Sequence, residues 1–154
     1  MVELAELERF VVRAKARTYA GSGQTTAPSR PGSVDLAHRE GSYAYLDSYV
    51  GASDFLGQEL VSLDGVPVWA MNYYGYLLRP DLIDATTAGA VIKTAVTALY
   101  GEDRFLGGFR WVDGDTTYTD TNTGDLTHFE GREWIDLRNE RVYELIYHGG
   151  LVRA

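Results

Sequence analysis

The chain has 154 residues, with 45% hydrophobic and 23% charged side chains, which is enough for one domain with a full core and is not the composition of a disordered or fibrous chain. It contains no cysteine, which excludes disulfides, thiolate nucleophiles and cysteine-bound metal centres. A formal net charge of −8 opposes binding to nucleic acid, and no apolar run approaches the roughly 20 residues of a membrane-spanning helix.

The chain opens with acid rather than a basic, apolar leader, so a cytoplasmic protein is expected. From Leu4, apolar residues at Leu7, Phe10, Val11 and Ala14 predict an amphipathic helix ending at Tyr19-Ala20-Gly21, with Arg13, Lys15 and Arg17 on its wet side. Residues 21–40, rich in Gly, Ser, Thr and Pro, read as a long loop or lid. Arg30, set between two prolines there, is placed to reach an anionic group. Three strand-like runs follow: one alternating at Tyr43, Tyr45, Asp47 and Tyr49, one about Phe55–Leu63, and one over Val68–Leu78, with Asp64-Gly65 as a hairpin turn between the last two. Pro80-Asp81 reads as the start of a second helix with a stripe through Ile92, Ala95, Val96 and Leu99. Three more runs then cover Thr116–Asn122, Phe129–Leu137 and Arg141–Val152.

These two series are copies of one another. Tyr45, Asp47 and Gly51 recur as Tyr118, Asp120 and Gly124 at an offset of 73. Phe55, Gly57, Glu59, Tyr73 and Gly75 recur as Phe129, Gly131, Glu133, Tyr147 and Gly149 at an offset of 74, after one insertion near Thr127. The expected fold is α+β and single-domain: a duplicated α-β-β-β unit (residues 1–79 and 80–154) giving about six antiparallel strands in a curved sheet or half-barrel, with two main helices and a pseudo-twofold axis.

Within each second strand, Glu59 and Glu133 alternate in step with apolar residues and so point inward. A carboxylate there must be hydrogen-bonded, paired with a cation, or held protonated. With Asp47, Asp120 and tyrosine hydroxyls they suit a pocket for a cationic or hydroxyl-rich ligand; alternatively each accepts hydrogen bonds within its own half. The two third strands share one face and differ on the other, where Asn72 and Tyr74 stand against Ile146 and His148. A face that differs between copies is where function is expected. The candidate ligand-binding residues are therefore Arg30, Tyr45, Trp69, Asn72, Tyr74, Glu133 and Tyr147, and the candidate acid–base residues are Glu59, Asp47 and His148. No metal-ligand spacing, Walker loop, dinucleotide fingerprint or nucleophile elbow is present, so neither metal nor cofactor is expected.

The motifs Ser29-Arg30-Pro31-Gly32-Ser33, Trp69-Ala70-Met71-Asn72-Tyr73-Tyr74-Gly75 and Tyr147-His148-Gly149-Gly150 resemble those of a bacterial family of uncharacterised domains. Its members occur alone or behind a helix-turn-helix of the xenobiotic-response-element type, which implies ligand sensing in those relatives. The resemblance brings no catalytic residues with it. The expected function is cofactor-independent binding of a small molecule between the two halves. A small acid–base enzyme (cyclase, isomerase or hydrolase) on the same scaffold is the alternative. Neither nucleic acid nor membrane is an expected partner; homodimerisation stays open.

Overall fold

The computed structural model describes residues 2–21 and 23–153. In chain order the elements are α1 (Leu4–Arg17), β1 (Thr25–Thr26), β2 (Val34–Glu40), β3 (Tyr43–Gly51), β4 (Asp54–Leu63), β5 (Val66–Leu77), α2 (Ala85–Tyr100), β6 (Phe109–Asp113), β7 (Thr116–Asp125), β8 (His128–Leu137) and β9 (Glu140–Leu151). The strands form one antiparallel sheet in the order β1-β2-β3-β4-β5-β9-β8-β7-β6. The α+β class holds, but the count of about six strands is corrected to nine, and the repeated unit is α-β-β-β-β.

The strands that the sequence did not reveal are β1, β2 and β6. β2 reads Val-Asp-Leu-Ala-His-Arg-Glu, too polar to betray a period of two, and β6 reads Phe-Arg-Trp-Val-Asp, five residues and too short to establish one. Pairing makes them strands: β2 lies along β3 from Val34 to Glu40, and β6 along β7 from Phe109 to Asp113. The expected lid over residues 21–40 therefore shrinks, because β2 and the short β1 occupy much of it; Ser22 lies outside the described residues.

Local chemistry sets the boundaries. The Glu3 carboxylate accepts the N–H groups of Ala5 and Glu6 and caps α1. The second helix starts later than Pro80-Asp81 predicts. That pair sits in a turn closed on Arg79 O, and Asp84 caps α2 by accepting the Thr87 N–H at 2.7 Å. Both β4–β5 and β8–β9 turn through two residues of positive φ, Asp64-Gly65 (51° and 81°) and Arg138-Asn139 (52° and 66°), as tight hairpins of this hand require. Among the described residues no helix is long and apolar enough to cross a membrane.

The register shows where the pseudo-twofold axis passes. Tyr73 on β5 pairs directly with Tyr147 on β9, its own repeat equivalent. The helices touch each other, while α1 packs on β2 and β3 and α2 on β6 and β7. β3 and β7 stand five strand steps apart, roughly 24 Å in a flat sheet, whereas packed helices lie about 8–10 Å apart. The sheet must therefore curl around the helix pair, its inner face carrying the shared residues of both halves.

One packing device recurs in each half. Gly57 pairs with Tyr73 and Gly131 with Tyr147, and the tyrosine ring lies across its glycine so closely that a Cβ would overlap it. Absence of a side chain lets each ring cross a neighbouring strand. Gly57→Ala or Gly131→Ala is expected to cost about 1–3 kcal/mol in chemical denaturation. In α2, Gly89 faces open space, and Gly89→Ala should stabilise by about 0.5–1 kcal/mol.

Candidate functional site

A cavity of about 410 Å³ lies between the helices and the inner face of the sheet. Both halves build it: Lys15, Tyr45, Asp47, Glu59 and Tyr73 from the first, and Val96, Tyr118, Asp120, Glu133 and Tyr147 from the second. Its polar groups are organised around two carboxylate pairs. In register, Asp47 on β3 stands directly opposite Glu59 on β4, and Asp120 on β7 directly opposite Glu133 on β8. Like charges facing each other across strands repel, so each pair needs compensation.

The two halves compensate differently. Glu59 is paired with Lys15, whose Nζ lies 2.8 Å from Oε1 and 2.7 Å from Oε2, both side chains being buried. Glu133 instead accepts the hydroxyls of Tyr118 at 2.5 Å and Tyr143 at 3.0 Å. The residue corresponding to Tyr143 is Trp69, whose indole N–H is turned away to Leu126 O at 3.2 Å. A lysine from α1 thus does for Glu59 what a second tyrosine does for Glu133. The aspartates are held alike: Tyr73 donates to Asp47 at 2.6 Å, and Tyr147 to Asp120 at 3.0 Å, each hydroxyl carried there by the ring that crosses a glycine. Asn122 adds a further donor to Asp120 at 2.7 Å.

Burial pushes Asp47 up to about 7, reinforced by the charge of Glu59 and opposed by the Tyr73 hydrogen bond and Lys15. Glu133 is also pushed up to about 7, by burial and by Asp120, against the pull of Tyr118 and Tyr143. Burial raises Asp120 as well. The hydroxyls of Tyr45, Tyr100, Tyr118 and Tyr143 are held well above their ordinary value, again chiefly by burial, so they remain donors at neutral pH. Tyr45 Oη, 2% exposed, approaches Glu59 yet makes no hydrogen bond of standard geometry. Among the described residues no three His, Asp or Glu side chains converge as metal ligands would.

Of the residues singled out from sequence, the structure gathers Tyr45, Asp47, Glu59, Glu133 and Tyr147 around this cavity. Asn72, Tyr74 and His148 lie instead on the opposite face of the sheet; Asn72 accepts from Gln58 and Tyr74 stacks on Tyr76. Trp69 does not line the cavity; it is wholly buried and stacks on Phe129 with centroids 5.8 Å apart. Arg30 does not reach the inward carboxylates. Its guanidinium donates to Ser48 O at 2.7 Å, and Ser48 in turn joins Ser33 on the buried Asp35 carboxylate, which holds this loop against β2 and β3. Lys15 was missed as a site residue. Its signal was present: it follows Leu7 and Val11 at steps of four, on the apolar stripe of α1.

The two kinds of carboxylate predict an unusual stability profile. Asp35, held down to about 2 chiefly by serine hydrogen bonds that outweigh burial, contributes stability above the unfolded value of about 4, lost as pH falls towards 2. Asp47 and Glu133 are raised, so the folded state binds more protons than the unfolded chain between about 4 and 7, and stability declines as pH rises through that window. Urea denaturation across pH should therefore show a maximum just below pH 4. Asp47→Asn combined with Glu133→Gln should flatten the fall towards neutrality.

Residues 47–152, more than half of the chain, match the family described as Domain of unknown function (DUF5680). The chain belongs to that family. The matched region begins at Asp47 and contains all four cavity carboxylates, while α1 and its Lys15 precede it. No curated protein and no solved structure matches the chain.

Proposed function

We propose that this member of the DUF5680 family is a small-molecule-binding domain that needs no cofactor, its ligand lying in the cavity between the two halves. The observation that carries the reading is the 410 Å³ chamber itself, lined by both halves and combining apolar walls with inward hydroxyls and carboxylates. Binding pockets of small molecules have this size and this sparing use of polar groups. The protein works in the cytoplasm, with a small molecule rather than nucleic acid or membrane as its partner. In relatives joined to a helix-turn-helix, the same binding would serve as sensing.

A second reading is an acid–base enzyme on the same scaffold. It is favoured by Asp47 and Glu133, both pushed up to about 7, where a carboxyl group exchanges protons most usefully at neutral pH. Under that reading Glu133→Gln would abolish turnover of a bound compound while leaving its binding measurable.

The Tyr45 hydroxyl gives a clean test of the binding reading, because a buried hydroxyl without a partner costs the fold stability. Tyr45→Phe should leave the free protein as stable or more stable by about 1 kcal/mol, yet weaken compounds that raise the melting temperature of the wild type. A thermal-shift screen in which no compound stabilises the wild-type protein would count against the proposal.

A further inference from the structure

We infer that the ligand is an organic cation whose ammonium group sits on the Asp120–Glu133 pair, as Lys15 sits on Glu59 beside Asp47. The inference rests on the small-molecule reading above and names the chemistry of that ligand.

The internal repeat supplies the argument. Tyr19 follows Lys15 by four residues, and Tyr100, the repeat counterpart of Tyr19, follows Val96 by four. α1 packs on β3 as α2 packs on β7. The position from which the first half delivers an ammonium to its carboxylate pair is therefore held by valine in the second. Val96 is buried and borders the same cavity as Asp120 and Glu133. The hydroxyls of Tyr118, Tyr143 and Tyr147 and the amide of Asn122 satisfy individual oxygens there but bring no positive charge; Lys15 acts on both carboxyls through space while its ion pair is with Glu59. Among the described residues that line the cavity, Lys15 is the one cation against four carboxylates. Arg104, which also acts on Asp120, is committed to Glu102 and to the carbonyls of Leu106 and Gly108.

A second and independent observation points the same way. Tyr45 Oη, buried on the wall of the same cavity beside Glu59, lacks a hydrogen-bond partner of standard geometry, so the chamber holds a polar group that a ligand entering from the second pair would meet. The site also tolerates a buried ammonium. Lys15 Nζ lies 5.4 Å from the centroid of Phe105, where the ring face stabilises a cation. The apolar lining, with Ile92, Leu99 and Leu145, calls for a hydrocarbon or aromatic body attached to the charged group.

Three probes of matched shape test the inference: 2-phenylethylamine, 2-phenylethanol and phenylacetate, each titrated into the full chain by calorimetry and thermal shift. The amine should bind at least about tenfold more tightly than the alcohol, and phenylacetate should not bind. Val96→Lys, which supplies an internal ammonium to the second pair, should raise the melting temperature at neutral pH and weaken the amine about tenfold. Should that variant fail to fold, Glu133→Gln serves instead: the amine should weaken about tenfold and the alcohol should be unaffected. Equal binding of alcohol and amine, or an amine affinity unchanged in the folded variant, would overturn the cation while leaving small-molecule binding intact. If none of the three probes binds and a broad neutral and acidic library also fails, both readings fall.

Discussion

Among the described residues that line the cavity, four carboxylates face the inside of one curved sheet and a single ammonium meets them. Most of the unusual features of the chain follow from that constraint. A carboxylate removed from water must find donors, find a cation, or keep its proton, and each option is used here. Lys15 pairs with Glu59; tyrosine hydroxyls hold Glu133, Asp47 and Asp120; burial pushes Asp47 and Glu133 up to about 7. Four of the eleven tyrosines, Tyr73, Tyr118, Tyr143 and Tyr147, have their physical reason in this donor demand. The glycines beside them have theirs in geometry, since Tyr73 and Tyr147 reach their aspartates only by crossing strands that lack a side chain at the crossing.

The repeat makes the chain its own control. Tyr73 and Tyr147, paired across the pseudo-axis, do the same work in both halves. The halves part company where a tyrosine in the second, Tyr143, corresponds to Trp69 in the first, and where Lys15 corresponds to Val96. One change compensates the other around Glu59. Around Glu133 the hydroxyls are complete but no ion pair is made, and this difference between the halves is the basis of the proposed preference for cations.

Much of this was legible in the sequence. Period-two alternation marked β3, β4, β5, β7, β8 and β9, and it alone put Glu59 and Glu133 on the inner face. β2 escapes because few apolar residues mark it and β6 because it is only five residues long; their strand character comes from pairing with β3 and β7. Lys15 escaped because a lysine among Arg13 and Arg17 reads as solvated, although its spacing from Val11 and the need of an inward glutamate for a cation both pointed inward. Divergence between the copies points to Asn72, Tyr74 and His148, which the structure puts on the outer face. A pocket that straddles a pseudo-twofold axis is lined by what the copies share, so its specificity lies in a few substitutions on that shared face rather than on the outer one.

The most direct test is a carbon-13 NMR titration of the side-chain carboxyls of Asp47 and Glu133 in the wild-type protein. Carboxylates lacking a full complement of positive charge should titrate with midpoints near 7, as burial against their neighbours dictates. Midpoints near 4 for both, the ordinary carboxylate range, would mean that the tyrosine hydrogen bonds and Lys15 already stabilise both ionised carboxylates as well as water does, and would contradict an interior left short of positive charge.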